Sequence, residues 1–229
     1  MADYDLAVIG GGLNGVGIAR DAAGRGLRVI LLEQGDLGSA ASAASGRLIQ
    51  GDLALLERRA LSRLRDALIE RDRWLRIAPH LVRPARFVMP AHSDERPPWL
   101  LRLGLLLYDR LAPNRAMPAS ATMDITHHPI GDALKRPYGT AFEYSDCLVD
   151  DSRLVIALAV DAAERGAVIR TRTRCIGAER RDVWQLMLEV RRRRDVATAH
   201  ILVNATGPWL KLFATDVLRE TTPVPARLD

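Results

Sequence analysis

The chain has 229 residues, of which 48% are hydrophobic and 27% charged, as is typical of a soluble globular protein with one large domain or one and a half. The net charge of +5 comes without a nucleic-acid-binding motif and with only 5% aromatic residues, so we expect no nucleic-acid partner. Cys147 and Cys175 lack C-x-x-C spacing, which excludes a disulfide scaffold or a zinc ribbon and favours buried thiols in a reducing cytoplasm.

The first predicted elements surround a glycine-rich turn. Residues 6–9 are an apolar run that predicts a buried strand, and residues 14–24 predict a small-residue helix that ends at a glycine. Between the strand and the helix interior, Gly10, Gly12 and Gly15 have the spacing G-x-G-x-x-G. The first glycine allows a tight turn, the second lets a pyrophosphate approach the backbone, and the third lets helix and strand pack closely. Glycine-rich turns also occur without a ligand, but this context favours a dinucleotide site.

A second predicted strand, residues 27–33, completes a βαβ unit and ends in a carboxylate. Glu33 comes about 20 residues after the first glycine, where such sites place the acid that accepts a ribose hydroxyl. A carboxylate there repels a 2′-phosphate and the next residue is Gln34, not arginine, so the pattern favours NAD or FAD over NADP. Residues 35–46 are rich in Ala, Ser and Gly, which predicts either a loop that lets backbone approach a ligand or a flexible linker.

The middle of the chain predicts two helices and one strand. Residues 53–75 have leucine and alanine at helical spacing, and residues 83–90 form a proline-bounded edge strand. Residues 99–111 predict an almost wholly apolar helix, which lies either in a buried core or in a membrane interface, since no apolar run reaches the ~18 residues that span a bilayer. Residues 112–140 predict a loop, whose two adjacent histidines lack a third ligand, so we expect no metal site.

The last third predicts a second helix–strand step. Asp150 and Asp151 are N-cap candidates for a helix over residues 153–165, and residues 167–172 predict the strand that follows. The helix ends at a glycine, as expected for a C-terminal cap.

A predicted hairpin follows, with strands at residues 184–190 and 199–204. Residues 191–195, four arginines and an aspartate, form its charged tip. The second strand continues into Ala205-Thr206-Gly207, a further point where backbone can approach a cofactor.

Several blocks carry a resemblance to a known family. They are residues 9–26, 77–81, 84–87, 104–110, 142–155 and 203–209. The residues of these blocks resemble those of the FAD-dependent glycerol-3-phosphate dehydrogenases. Because the blocks are spread along the sequence, the resemblance covers essentially the whole chain. Residues 143–155 separate this family from other flavin oxidases.

The resemblance implies an α/β fold, with a glutathione-reductase-like, Rossmann-type FAD-binding βαβ domain and part of a substrate-binding region. The FAD domain would comprise residues 1–50 and 146–229, and residues 51–145 would form a helical, partial substrate region. The implied reaction oxidises sn-glycerol 3-phosphate to dihydroxyacetone phosphate, with electrons passing through FAD to a membrane quinone. The implied location is cytoplasmic, peripheral on the inner face of the cell membrane.

The resemblance also implies which residues hold FAD, without assigning a catalytic residue. The ADP half would be bound by Gly10, Gly11, Gly12, Asn14, Gly15 and Glu33. The flavin side would lie near Ser42 and Ser45, the adenine near the backbone of Arg174, and the pyrophosphate or ribose near Ala205, Thr206 and Gly207.

Three of the positions that depart from the family pattern bear on the binding of substrate. Where the family reads S-S-K-L-I-H-G-G-L-R-Y-L, this chain has Gln50 for the histidine, Asp52 for the second glycine and Ala54 for the arginine that would hold substrate. Each lost charge-assisted hydrogen bond disfavours an anionic substrate by roughly 1.5–3 kcal/mol.

We also expect the chain to cover less than half of a family member. Three hypotheses follow: an FAD-dependent dehydrogenase, an inactive FAD- or nucleotide-binding remnant, or an NAD-binding Rossmann protein. The serine-rich loop and the Ala-Thr-Gly strand end favour FAD over NAD.

Overall fold

The computed structural model describes residues 2–58, 60–91, 97–112, 117–132, 134 and 139–219. The chain divides into two compact units, Met1–Gly46 with Asp151–Asp229, and Arg47–Asp150 inserted between them. The junctions lie a few residues from those predicted at 50–51 and 145–146, because residues 48–49 and 146–149 are strands of the inserted unit's sheet.

The described residues form ten strands and seven α-helices, as expected for the α/β class. In chain order they are β1 (Tyr4–Ile9), α1 (Leu13–Gly24), β2 (Val29–Leu32), β3 (Leu48–Ile49), α2 (Ala54–Glu57), α3 (Leu61–Ile77), β4 (Val82–Pro90), α4 (Pro98–Leu111), β5 (Ala121–Asp124), α5 (Pro129–Asp132), β6 (Thr140–Val149), α6 (Asp151–Glu164), β7 (Val168–Arg170), β8 (Thr173–Arg180), β9 (Trp184–Val190), β10 (Arg193–Asn204) and α7 (Leu210–Asp216).

The first unit is built on a six-stranded sheet in the order β7-β2-β1-β10-β9-β8. Residues 6–9 of β1 and all of β2 are continuous apolar runs because both faces of the sheet are covered there, as is usual for parallel strands. On one face Leu6 and Val8 pack against α1 and α6. On the other, Ala7 and Ile9 pack against inward residues of β8 and β9 and against Phe213 of α7.

Strand β10 takes part in two kinds of pairing. Its residues 193–199 pair antiparallel with β9, and residues 199–204 pair parallel with β1. β1 and β2 are also parallel, so β2, β1 and β10 all end at the same edge of the sheet. That edge is where ligands bind in sheets of this kind.

The inserted unit has β6 at the centre of its sheet. β3 and β4 flank it, and β5 also pairs with it. β4 is an edge strand, as its prolines predicted, because a proline cannot donate to a sheet ladder. Helix α3 packs against this sheet, with Leu64 and Leu68 fully buried.

Three sequence expectations are corrected by the structure. The helix predicted over 53–75 is interrupted between α2 and α3, because Ala60 leaves the helical region with ψ of 56°. The loop predicted over 112–140 contains β5 and α5, although 113–116, 133 and 135–138 lie outside the described residues. β8 was not predicted, because a bulge between Cys175 and Gly177 interrupts its alternating pattern.

Helix α4 exposes most of its apolar surface. Only Leu105 and Tyr108 are buried. The exposed apolar residues are Trp99, Leu100, Leu103, Leu106 and Leu107. Among helices in the described ranges, none combines the length and apolar character that crossing a bilayer requires.

Candidate cofactor site

The glycine-rich turn connects β1 to α1 in a conformation that larger residues cannot share. Gly10 has φ of +112°, and a Cβ there would lie 2.5 Å from the carbonyl oxygen of Ala205. A Cβ on Gly15 would lie 1.9 Å from the carbonyl oxygen of Gly10. A Cβ on Gly12 would have more room, because its nearest neighbour, the Ser42 hydroxyl oxygen, would lie 3.1 Å away. The first and third glycines of the motif therefore allow the close packing that the sequence predicted.

Glu33 follows β2 and is held by two backbone donors. Its carboxylate accepts the N–H of Gly11 and the N–H of Gly35, both at 2.7 Å. A carboxylate has about four acceptor positions, so two remain after these bonds are made. Because the side chain also lines the cavity described below, those positions are suited to ribose hydroxyl groups.

The two predicted serines are held at the N-termini of two different helices. The Ser42 hydroxyl accepts the N–H of Leu13, the first residue of α1, at 2.9 Å. The Ser45 hydroxyl donates to the carboxylate of Asp151, the first residue of α6. Through Ser42, the serine-rich loop is thus attached to the N-terminus of α1, which is the helix end that would receive a phosphate.

The end of β10 forms a further wall of the site. The N–H of Ala205 donates to the carbonyl oxygen of Ile9 at 2.8 Å, which continues the pairing with β1 past the strand end. The Thr206 hydroxyl donates to the side-chain oxygen of Asn204 at 2.7 Å, and the Asn204 amide in turn donates to the carbonyl of Leu210. Side-chain bonds therefore fix the backbone that faces the turn.

These elements surround a cavity of about 730 Å³ at the carboxyl ends of β1, β2 and β10. Ten of the predicted FAD-binding residues line it: Gly10, Gly12, Asn14, Glu33, Ser42, Ser45, Arg174, Ala205, Thr206 and Gly207. Gly11 and Gly15 do not line it: Gly11 donates its N–H to Glu33, and Gly15 packs against the carbonyl of Gly10. The cavity, the helix N-terminus and the carboxylate together fit a dinucleotide.

The sequence did not mark a second group of lining residues individually, although five of them belong to the loop of residues 35–46, whose backbone it predicted could approach a ligand. They are Gln34, Gly35, Gly38, Ser39, Ala40, Ala41, Asp151, Thr173, Cys175, Pro208, Trp209, Leu212, Phe213, Asp216 and Val217, with Ile9, Leu13 and Leu32 beneath them. Three of them, Leu212, Phe213 and Asp216, come from α7, which the sequence does not mark as part of a site. The apolar spacing of Trp209, Leu212 and Phe213 was the available signal.

The three substrate-related positions at which the chain departs from the family pattern lie in the inserted unit. Gln50, Asp52 and Ala54 are exposed. Asp52 has φ of +55°, so it keeps a backbone conformation that favours glycine, and its carboxylate accepts the N–H of Ala54 at the start of α2. Asp52 thus has a structural role as well as a charge.

Between these positions, Gly51 is anchored to a buried polar network. Its N–H donates to the Tyr108 hydroxyl at 2.9 Å, and that hydroxyl donates to the Asp146 carboxylate at 2.7 Å. Asp146 also forms an ion pair with Arg71 at 3.2 Å, and both side chains are almost fully buried. Burial raises the pKa of Asp146 above its usual range, although hydrogen bonds from Tyr108 and Arg71 oppose this. The network holds the segment that carries the departing residues.

Both cysteines are buried, as predicted. Burial raises the pKa of Cys147 and of Cys175 to about 11, so neither thiol ionises readily near neutral pH. In the described ranges, no group of three histidine, cysteine or acidic side chains is placed to hold a metal ion.

Comparisons with known proteins match nearly the whole chain to one family. The family described as FAD dependent oxidoreductase matches residues 5–228. The chain is 48% identical to a glycerol-3-phosphate dehydrogenase of Pseudomonas aeruginosa and 46% identical to a D-erythritol 1-phosphate dehydrogenase of Brucella abortus, each over 98% of this chain. These matches cover 44% and 45% of the relatives, so the chain spans about half the length of the curated relatives it matches.

A solved structure shows the same fold. The glycerol-3-phosphate dehydrogenase of Bacillus halodurans, complexed with FAD, superposes with a TM-score of 0.66 at 23% identity. The superposition covers 93% of this chain and 36% of that protein.

Proposed function

Because this chain belongs to the FAD-dependent oxidoreductase family, we propose that its first unit binds FAD in the cavity at the ends of β1, β2 and β10 and that the protein oxidises a polyol phosphate. The observation that carries FAD binding is the pairing of the glycine turn with Glu33. Two N–H donors orient this carboxylate within the lining of the cavity. FAD, when bound, supplies a group that accepts two electrons and a proton from an alcohol carbon.

We assign the residues that would hold each part of FAD. The free acceptor positions of Glu33 would take ribose hydroxyls, and the N-terminus of α1, beside Ser42, would take the pyrophosphate. The backbone of Ala205-Thr206-Gly207 faces the same space from β10. Arg174 would lie beside the adenine.

The proposed substrate is a phosphate monoester of a small polyol, with glycerol 3-phosphate as the first candidate and a membrane quinone as the electron acceptor. The named relatives act on glycerol 3-phosphate and on D-erythritol 1-phosphate, which share this chemistry. Gln50, Asp52 and Ala54 favour a second candidate, a protein that binds FAD without oxidising such a substrate. They replace the family's histidine, remove the arginine that would hold the substrate and add a carboxylate.

Flavin titration of the purified chain tests the first part. We expect quenching of FAD fluorescence and visible flavin bands, and we expect Glu33→Gln to weaken binding by about 10- to 150-fold, for a lost interaction of roughly 1.5–3 kcal/mol. Glu164→Gln, an exposed acid at the end of α6 and outside the cavity, is the control. Equal affinities for the unaltered chain and Glu33→Gln would contradict the assigned ribose contact.

Dye reduction separates the two candidate functions. The FAD-loaded chain is given glycerol 3-phosphate or D-erythritol 1-phosphate, with free FAD as the blank. Reduction above the blank supports the dehydrogenase, and bound flavin without reduction by either compound supports the second candidate. Ala54→Arg and Asp52→Gly, which restore the family residues, are expected to increase any activity.

We also propose that α4 lies in a membrane interface at the cytoplasmic face. Five large apolar side chains at positions 99, 100, 103, 106 and 107 recur at helical spacing and are exposed. Trp99 lies at the N-terminal end and the exposed Arg110 at the C-terminal end, an arrangement typical of helices that rest in the headgroup layer.

Vesicle flotation tests this location. The chain is mixed with vesicles of phosphatidylcholine, with or without phosphatidylglycerol, and the bound fraction is measured. We expect Trp99→Ser with Leu103→Ser to abolish flotation, while Val160→Ser, a comparably exposed apolar residue on α6, leaves it unchanged. If all three proteins float equally, or none does, the membrane contact of α4 is refuted.

A further inference from the structure

A group of arginines occupies one end of the β8–β9–β10 hairpins. We call Arg172, Arg174, Arg191, Arg192, Arg193 and Arg194 the arginine rim. All six are exposed. Within the described residues no ion pair involves any of them, whereas nearby Arg170 is paired with Asp195. The one carboxylate in register with the rim is that of Glu189, which lies opposite Arg174 and Arg194.

The arginine rim adjoins the cofactor cavity. The N–H of Arg172 donates to the carbonyl of Gly35 at 2.9 Å, and the N–H of Thr173 donates to the carbonyl of Glu33 at 2.8 Å. Thr173 and Arg174 line the cavity itself. Thr173 pairs with Val190, so the turn that follows Val190 lies at the same end of the sheet.

The conformation of that turn makes arginine an unexpected choice. Arg191 and Arg192 have φ of +48° and +66°, the left-handed pair of a two-residue hairpin turn. Such turns strongly favour Asn-Gly, because most side chains are strained there. Arg172, also in the rim, has φ of +51°. Three charged residues therefore occupy positions where the backbone alone would favour glycine or asparagine.

The lining of the cavity carries the opposite charge. Glu33, Asp151 and Asp216 line it, and Arg174 is the cation among the lining residues. The pyrophosphate of FAD carries two negative charges, so these carboxylates repel it as it approaches. The N-terminus of α1 attracts the phosphates only within about one helical turn. Attraction over a longer distance must come from charges outside the lining.

We propose that the arginine rim steers FAD into the cavity, raising its association rate without contacting the bound cofactor through Arg191 or Arg192. The proposal rests on FAD binding as proposed above. Clustered charge of one sign beside a cleft raises the association rates of oppositely charged ligands by 10- to 10³-fold, and this effect falls as ionic strength rises. Each of the six charges is taken to contribute equally to the logarithm of the association rate. Removal of two of them then lowers the rate by roughly 2- to 10-fold.

The test measures FAD association by stopped-flow fluorescence with the purified chain freed of flavin. The test variant is Arg191→Asn with Arg192→Gly, which removes two rim charges and supplies the favoured turn residues, so the hairpin is retained. The control is Arg180→Gln with Arg181→Gln, which removes two exposed charges from the opposite end of the hairpins. Each protein is measured at about 10 mM and about 1 M salt, where the Debye length is about 30 Å and 3 Å.

We expect the rim variant to associate about 2- to 10-fold more slowly at low salt, with no difference at high salt and an unchanged dissociation rate. The control variant should retain nearly the full rate. An equal loss in both variants, no loss in the rim variant, or a loss that persists at high salt would overturn steering by the rim. Failure of the unaltered chain to bind FAD at any salt concentration would overturn the proposed function and the steering together.

Discussion

Two glycines in α1 allow a direct test of the close packing at the cofactor turn. A Cβ on Gly15 would lie 1.9 Å from the carbonyl oxygen of Gly10, whereas a Cβ on Gly17 would meet no described atom within 4 Å. Both positions are inside the same helix, so alanine brings the same gain in helix propensity, roughly 0.8–1 kcal/mol, at each. The difference between Gly15→Ala and Gly17→Ala therefore isolates the contact with the turn.

The size of that difference follows from the geometry. Contacts of a real Cβ below 3.0 Å are essentially never seen, so α1 and the turn must separate by about 1 Å to admit alanine at Gly15. Overpacking of this kind costs roughly 1–3 kcal/mol. For a chain of this length, each kcal/mol lowers Tm by about 2–4 °C, so Gly15→Ala should melt roughly 2–12 °C below Gly17→Ala.

Gly15→Ala should also bind FAD more weakly than Gly17→Ala. Moving the N-terminus of α1 costs at least one amide–phosphate hydrogen bond, roughly 1.5–3 kcal/mol, or about 10- to 150-fold in Kd for FAD. Thermal melting without FAD and fluorescence titration with FAD measure the two effects. If Gly15→Ala melts as high as Gly17→Ala and binds FAD as tightly, the close approach of helix and turn does not support the site.

Three further predictions concern buried and charged groups. Tyr108→Phe should lower the free energy of unfolding in urea by roughly 1–3 kcal/mol, because it leaves an oxygen of the buried Asp146 carboxylate without its donor. Bonding to an arginine holds the pKa of Asp5 at about 2, so its contribution to stability is complete above about pH 4 and disappears as the pH falls towards 2; Asp5→Asn should therefore show a smaller loss of Tm over that range. Cys147 and Cys175 should react with a thiol reagent at pH 8 only after unfolding, and rapid labelling of the native chain would contradict their burial.

The turn could be predicted from the sequence because its chemistry is local. The apolar run of β1, the glycine spacing and Glu33 all lie between residues 6 and 33. Each has a steric or electrostatic role that residue type alone reveals. The hairpin of β9 and β10 was predicted for the same reason, although its turn is only two residues long and Arg193 and Arg194 belong to the strand.

The other walls of the cavity depend on contacts between distant residues. β8 enters the site through Thr173 and Arg174, and α7 through Phe213, and no local pattern links either element to the glycine turn. The exposure of α4 was likewise undetermined by its sequence, because a run of leucines suits a buried helix and an interfacial one equally. Only tertiary packing distinguishes these cases.

The pairing of β1 with β10 also constrains when the site can form during synthesis. Asp3, just before β1, bonds to Thr198 of β10 across 195 positions of chain, and the whole inserted unit lies between them. Such non-local pairing is slow to form because the intervening loop must first be closed. At roughly 5–20 residues per second, the ribosome reaches β10 about 10–40 s after β1. During that interval the glycine turn lacks the wall formed by Ala205, so FAD can stabilise the first unit only late in folding, after the inserted unit has had time to fold.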